Sequence, residues 1–188
     1  MALIPTGSQT IGPFFHEGLK ALYRSDLAAG AGAGERLTVT GRIVDGDGQG
    51  VADALVEIWQ ANAAGKYDHP DDRQDKPLDP GFFGFGRIAT AADGTFRFTT
   101  IKPGTVPGPG NALQAPHLNL GILMRGQLKR LATRVYFDGE AANANDPILA
   151  LVDDPARRRT LIARPDGAGV WRFDVVLQGA NETVFFDC

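Results

Sequence analysis

The sequence contains very little cysteine: Cys188 is the single thiol among 188 residues. An internal disulfide is therefore excluded, and so is a zinc or iron–sulfur site built from several thiolates. We expect a reducing, cytoplasmic environment on this ground. No apolar run approaches the roughly 18 residues needed to span a bilayer, and residues 1–9 lack the basic and apolar segments of a signal peptide. The sequence thus predicts neither a membrane segment nor an export signal.

A strong charge of one sign is also lacking. The chain has 19 basic and 22 acidic side chains, for a net charge of −3, and its longest basic run is Arg157-Arg158-Arg159. A nucleic-acid-binding protein normally carries a basic face, so we expect no nucleic-acid partner. Glycine and proline, by contrast, are plentiful at 24 and 12 residues, which predicts a chain with many turns.

Period-two alternation of apolar and polar residues begins at residue 37, with Leu37, Val39 and Ile43 on one face. The same pattern predicts further short strands at 55–60, 87–90, 95–101, 117–124, 131–137, 161–163 and 170–177. Asp93-Gly94 lies between two of them and predicts a hairpin. Short strands separated by turns and long loops indicate an all-β fold, a β-sandwich.

The first 36 residues differ in composition from the rest, because they combine a Gly- and Pro-containing start with an Ala/Gly stretch at 28–34. We expect an N-terminal arm and linker over residues 1–36 and a β-sandwich domain over 37–188. One or two helical turns are predicted within residues 16–27. A second short helix is predicted at 156–160, since Asp154 suits the N-cap and Pro155 the first helical position.

The three histidines, His16, His69 and His117, are isolated in the sequence, and none forms a pair with the spacing of metal ligands. His69 lies in an Asp- and Pro-rich stretch that is interpreted as a solvated loop. His117 begins an apolar strand directly after a proline-rich loop, and such junctions often carry functional residues.

One long pattern is much more specific. It consists of Glu57-x-Trp59-Gln60-x-Asn62-x-x-Gly65-x-Tyr67, then the segment 94–104, then Pro116-His117-Leu118-Asn119. This pattern resembles the intradiol ring-cleavage dioxygenases. With the arm and the ending 179–187, the resemblance covers most of the chain. It implies a β-sandwich of the intradiol dioxygenase type and an activity that adds both atoms of O₂ to a catechol.

The resemblance also implies which positions once held a metal. In that family two tyrosinates and two imidazoles bind Fe(III). The first tyrosine falls on Tyr67 and the first histidine on His117, but the second tyrosine falls on Val106 and the second histidine on Asn119. A substrate-holding arginine of the family falls on Gln114. The resemblance therefore implies remnant ligand positions, no metal and no catalytic residue in this chain alone.

Such a chain would pair with a homologous iron-binding beta subunit in a hetero-oligomer. The resemblance implies that the two share a site at their interface and convert protocatechuate and O₂ into 3-carboxy-cis,cis-muconate, with Fe(III) held by the partner. It also implies substrate contacts from Thr10, Gly12, Pro13 and Arg125. A guanidinium suits a ring carboxylate through charge-assisted hydrogen bonds, and a glycine lets backbone approach a ligand closely.

Two alternatives remain open. A non-catalytic β-sandwich binding module for a carbohydrate or protein would be stable as a lone monomer. A self-sufficient iron enzyme would recruit Tyr67 and His117 with unusual ligands such as His69 and Asp71, and would contain stoichiometric iron. The apolar arm residues 13–15 would be costly to leave exposed, which favours an obligate partner.

Overall fold

A computed structural model describes residue 7 and residues 9–187. Residues 1–6, Ser8 and Cys188 lie outside the described part, and so do the side chains of Pro13, Phe15 and His16. The predictions made for Cys188 and for most of residues 1–9 concern this undescribed part. Within the described ranges, no helix is both long and apolar enough to cross a membrane.

Short strands dominate the described residues. The strands are β1 (Arg36–Val44), β2 (Leu55–Trp59), β3 (Phe85–Ala89), β4 (Thr95–Ile101), β5 (Val106–Pro107), β6 (Leu113–Gln114), β7 (His117–Leu123), β8 (Leu131–Phe137), β9 (Ile162–Pro165), β10 (Val170–Arg172) and β11 (Val175–Val176). The α-helices are α1 (Pro13–Leu19) and α2 (Pro155–Arg159), and single 3₁₀ turns occupy Lys20–Leu22, Pro109–Asn111, Ala141–Asn145 and Leu149–Leu151.

The predicted β-sandwich is confirmed. The strand order is β11-β1-β10-β9-β8-β7-β2-β3, with β4 on the other edge of β1, while β5 and β6 form a separate small ladder. Strand β9 pairs with β8 and with β10, so it joins a β3-β2-β7-β8 layer to a β4-β1-β10 layer. Val56 and Leu120 of the first layer share one apolar core with Val39 and Phe98 of the second.

The alternation in β1 shows why the layers face each other. Leu37, Val39 and Ile43 are buried, whereas Thr38 and Thr40 between them are partly exposed. Successive side chains of a strand point to opposite faces, so one face of β1 is apolar throughout. Each large apolar side chain buried in this way stabilises the fold by about 1.5–3 kcal/mol.

The predicted hairpin at 87–101 is wrong, although its turn exists. The N–H of Gly94 donates to the carbonyl of Ala91 over 2.9 Å, and Gly94 has a φ of +83°. However, β3 pairs with β2 and β4 pairs with β1. The Asp-Gly signal fixes the local turn but not the pairing partner, and here the turn carries the chain from one layer to the other.

Both predicted helices are present. Helix α2 begins as expected, with Asp154 Oδ1 accepting from the N–H of Ala156 over 2.7 Å. Helix α1 begins three residues earlier than predicted, because Pro13 takes a position in the first turn, where its missing N–H costs nothing. After α1 the chain enters the core: Leu27 is fully buried, and its N–H donates to the carbonyl of Thr99 over 2.9 Å.

Candidate functional site

The four remnant positions come from three parts of the fold. His117 and Asn119 lie two residues apart on β7, so they point away from the core on the outer face of the first layer. Tyr67 lies in the loop after β2, where its ring stacks on Trp59 with centroids 5.4 Å apart. Val106 is buried in the short strand β5.

The structure brings Tyr67 and Asn119 together. Asn119 Nδ2 donates to the Trp59 carbonyl over 3.2 Å and lies 3.5 Å from Tyr67 Oη. Burial raises the pKa of the Tyr67 phenol, and the Asn119 hydrogen bond offsets only part of this effect.

His117 is a buried, neutral imidazole. Its side chain is 3% exposed, and its ring is tilted against that of Tyr136 at 5.6 Å. Nδ1 lies 2.7 Å from the carbonyl oxygen of Ala115, which can only accept, so Nδ1 carries the proton. Burial, with the Arg134 guanidinium nearby, lowers the pKa of His117 to about 4.

A buried carboxylate fixes the start of β7. Asp146 is 1% exposed, and its Oδ2 accepts from the N–H of Ala115 over 2.7 Å. Its Oδ1 accepts from Tyr136 Oη at 3.1 Å and from the N–H groups of Ile148 and Leu149 at 2.9 and 2.7 Å. These four hydrogen-bond donors compensate the Asp146 carboxylate, whose burial would otherwise be costly. Sequence reasoning missed this residue, because nothing in Asp146-Pro147 distinguishes a buried turn from an exposed one.

Arg134 was also missed. It lies on β8 opposite Asn119, and its Nη1 donates to Gln114 Oε1 over 2.6 Å and to Tyr136 Oη over 3.3 Å. Gln114 in turn donates to the carbonyl of Pro107 over 2.7 Å, which ties β5 and β6 to this cluster. Among the described residues, no carboxylate forms an ion pair with Arg134. The sequence predicts that Arg134 lies on a strand, but it does not predict that Gln114 and Tyr136 contact its side chain.

These residues do not fit a ferric ion. Val106 has no donor atom and Asn119 offers a neutral amide, so two of the four donors are missing. The Arg134 guanidinium adds a positive charge at the same face, which repels a metal cation. In the part of the chain that the structure describes, no group of three or more His, Cys, Asp or Glu side chains could hold a metal ion.

His69 and Asp71 share a groove of about 600 Å³ with Tyr67 and Val106. His69 Nδ1 lies 3.7 Å from an Asp71 carboxylate oxygen and accepts from the Asp71 N–H over 3.2 Å. Both side chains are exposed, and the His69 ring meets the edge of Trp59. The contact is that of a local turn in a solvated acidic loop.

The predicted substrate-contacting residues lie elsewhere. Thr10 Oγ1 accepts from the N–H of Gly126 over 2.8 Å, which places the arm beside the turn after β7. Arg125 forms a salt bridge with Asp53, and its side chain is 73% exposed. A Cβ added at Gly12 would meet no described atom within 4 Å, so none of the described contacts requires a glycine there.

The arm group and the remnant positions do not form one site. His117 begins β7, whereas Arg125 follows its other end, so about 20 Å of strand lies between them at roughly 3.3 Å per residue. Thr10 and Arg125 are neighbours, and Tyr67 and Asn119 are neighbours. Any substrate contact by Arg125 therefore belongs to a surface other than the remnant ligand positions.

Comparison with known proteins identifies the family. A family model described as Dioxygenase matches residues 11–179. The protocatechuate 3,4-dioxygenase alpha chain of Burkholderia cepacia is 45% identical, covering 97% of this chain and 96% of its own length. The beta chain of the same enzyme and organism is 40% identical, over 94% of this chain and 77% of that one.

A solved structure agrees. The dioxygenase domain of a dioxygenase carbohydrate-binding protein fusion from Streptomyces sp. SirexAA-E is 31% identical and has a TM-score of 0.61, covering 94% of this chain and 100% of that chain. The near-complete coverage extends the similarity across both layers of the sandwich. The chain belongs to the intradiol ring-cleavage dioxygenase family.

Proposed function

We propose that this chain is the alpha subunit of a protocatechuate 3,4-dioxygenase and that a homologous beta subunit holds the Fe(III). One observation carries the proposal: a chain similar to alpha chains over nearly its whole length has a remnant site that does not fit iron. Val106 and Asn119 replace two of the four donors, and Arg134 places a cation beside the other two.

The reaction adds both atoms of O₂ to protocatechuate and opens the bond between its two hydroxylated carbons, giving 3-carboxy-cis,cis-muconate. The ferric ion of the beta subunit supplies the activation of the bound catecholate towards O₂. This chain contributes no catalytic residue. It contributes a wall of the substrate pocket, one charge and the contacts that assemble the complex.

Thr10, Gly12 and Pro13 form that wall, and Arg125 supplies the charge. Two observations support this assignment: the arm is held next to Arg125 through the Thr10–Gly126 hydrogen bond, and the Arg125 side chain is exposed. An exposed guanidinium can leave Asp53, because exposed ion pairs are worth only about 0–1 kcal/mol. It can then bind the ring carboxylate of protocatechuate through two parallel hydrogen bonds.

The division into an arm and linker over residues 1–36 and a sandwich domain over 37–188 belongs to the same proposal. Strand β1 starts at Arg36, which supports the boundary, while Leu27 and Ala28 of the linker already pack in the core of the sandwich. A cytoplasmic location is also proposed, and the presence of one cysteine in 188 residues supports it.

The test is to purify this chain alone, the beta-type homologue alone, and the two after co-expression. Iron content, the visible absorption of iron-bound tyrosinate, and protocatechuate-dependent O₂ uptake are measured for each sample. We expect the co-purified complex to have full iron and activity, and this chain alone to have neither. Stoichiometric iron and activity in this chain alone would overturn the proposal.

The same samples decide between the alternatives. A self-sufficient iron enzyme that uses His69 and Asp71 as ligands requires iron in the isolated chain. Against this alternative, both side chains are exposed and contact each other within a local turn of the loop. A non-catalytic binding module requires a stable monomer that gains nothing from the beta-type homologue.

A further inference from the structure

A cavity of about 570 Å³ opens on the outer face of the β3-β2-β7-β8 layer, next to the remnant positions. Its walls include three aromatic rings, those of Trp59, Phe85 and Phe186, and Arg134 also lines it. Volumes of 300–1,000 Å³ with apolar walls and a few polar groups are typical of small-molecule sites. The cavity therefore has the size and the wall chemistry to hold an aromatic ring.

The charges around this cavity are unevenly compensated. Glu57 forms a close ion pair with Arg87 at 2.6 Å and a looser one with Arg130 at 3.8 Å, so these groups offset one another. Arg134 Nη1 donates hydrogen bonds to the side chains of Gln114 and Tyr136, and both acceptors are neutral. Within the described ranges no carboxylate lies within ion-pair distance of Arg134. Asp187, the other carboxylate of the lining, lies 3.8 Å from Lys129, and Asp146 is linked to Arg134 only through the Tyr136 hydroxyl.

A half-buried guanidinium without a counter-ion favours binding of an anion. The planar guanidinium matches a carboxylate, since two parallel N–H groups can donate to its two oxygens. The Phe186 ring centroid lies 6.0 Å from Arg134 Cζ, so an anion on Arg134 has an aromatic ring beside it. Trp59 and Phe85 add two further aromatic rings to the lining of the cavity.

We propose that this cavity binds an aromatic carboxylate, with the carboxylate on Arg134 and the ring against the aromatic side chains of the lining. The site uses residues of this chain alone and needs no metal. It gives the chain a ligand-binding capacity that the loss of two iron ligands does not remove. The proposal rests on the cavity and its charges and is independent of the proposed function.

The test is equilibrium dialysis of the co-purified complex against radiolabelled 4-hydroxybenzoate, an aromatic carboxylate with no catechol to cleave. We expect Arg134→Gln to lower the bound ligand by one equivalent per copy of this chain. The matched control is Arg97→Gln, which removes the same charge from an exposed position on β4 in the other layer. Equal binding of 4-hydroxybenzoate by the wild type and Arg134→Gln would overturn the proposal. The same result is expected if a side chain of the partner covers the cavity, and it overturns the proposal in that case too.

A second variant tests the cavity without touching the guanidinium. Ala132 lines the cavity, and Ala132→Leu places extra volume in it, so this variant should also lose one equivalent. Retained binding by Ala132→Leu would contradict the proposed location. Iron content and O₂ uptake are measured on the same samples. If the complex contains no iron but Arg134→Gln still lowers the bound 4-hydroxybenzoate by one equivalent, the proposed function is refuted and this site is supported. If the complex is active but Arg134→Gln binds as much ligand as the wild type, this site is refuted and the proposed function is supported.

Discussion

Thr10 and Gly126 are 116 residues apart in the sequence, yet the Thr10 hydroxyl oxygen accepts a 2.8 Å hydrogen bond from the Gly126 N–H. This contact fixes the N-terminal arm beside Arg125, the residue that precedes Gly126. The arm and Arg125, to which the resemblance gives substrate contacts, are therefore neighbours. Their proximity makes the arm and Arg125 testable as one surface.

Thr10→Val removes the acceptor of this hydrogen bond while keeping the side-chain shape. A neutral hydrogen bond contributes about 0.5–1.5 kcal/mol, so we expect the KM of the complex for protocatechuate to rise roughly two- to tenfold. Iron content should not change. Steady-state O₂ uptake gives KM and kcat, and Thr40→Val on β1 is the control. An unchanged KM would show that the Thr10 contact does not position the arm for substrate.

Arg125→Gln removes the charge proposed to meet the ring carboxylate. We expect KM to rise about tenfold or more, as for the loss of a charge-assisted hydrogen bond worth about 1.5–3 kcal/mol, with a smaller change in kcat. The effect should shrink for catechol, which has no carboxylate. Steady-state O₂ uptake with the two substrates measures the difference.

Asp53→Asn is the control for Arg125, because it breaks the salt bridge but keeps the guanidinium. If Arg125 binds substrate, this variant leaves KM unchanged or lowers it. If KM rises equally in both variants, the salt bridge itself is what matters, and the substrate role of Arg125 is refuted.

His117 makes stability depend on pH. Its folded-state pKa is about 4, against an ordinary value of 6.5. Between these values the unfolded chain binds more protons than the folded one, so stability falls as pH drops from about 6.5 to 4. The full loss is about 3 kcal/mol at 1.36 kcal/mol per pKa unit.

The measurement is the shift in the urea midpoint of the complex between pH 7 and pH 5, for the wild type and for His117→Gln. The urea midpoint of His117→Gln should shift less than that of the wild type, because the variant lacks the titrating imidazole. The contribution of the partner subunit is the same in both complexes. His69→Gln, at an exposed histidine, should behave like the wild type. An equal shift in the wild type and His117→Gln would contradict the assignment.

Arg134 should decide whether the remnant site can be restored. Val106→Tyr with Asn119→His supplies the two missing donor types but leaves the guanidinium in place. We expect this double variant to bind well under one equivalent of iron, and the triple variant with Arg134→Gln to bind more and to absorb as a ferric tyrosinate. Iron analysis and visible spectra compare the two. Equal iron in both would show that the Arg134 charge does not exclude the metal.

The sequence was most informative where one face of a strand is buried. Strand β1 follows the predicted alternation closely, because it packs only one face on the core. Strands β7 and β8 do not alternate in burial, because residues such as His117 and Tyr136 are buried on their other face. The strand predicted at 170–177 is interrupted after Arg172. There the Asp174 carboxylate, rather than a backbone carbonyl, accepts from the N–H of Arg42 over 2.8 Å. Alternation cannot reveal such a substitution of side chain for backbone.

The site was predictable only in part for a related reason. The resemblance located Tyr67, Val106, His117 and Asn119, since these positions lie within or just beyond the short motif segments. The role of Arg134 depends on Gln114, which lies 20 residues away in the sequence and meets it only after β6 and β8 have taken their places. Long-range polar contacts of this kind leave no periodic signal.

The buried Asp146 carboxylate has a consequence for how an assembly of this kind can arise. It holds the start of β7 through protein groups alone, so the shape of the former metal pocket does not depend on the metal. A chain of this fold can therefore lose metal ligands and still keep the surface that a partner contacts. If the partner holds the iron as proposed, the pair needs one metal site where two independent enzymes would need two.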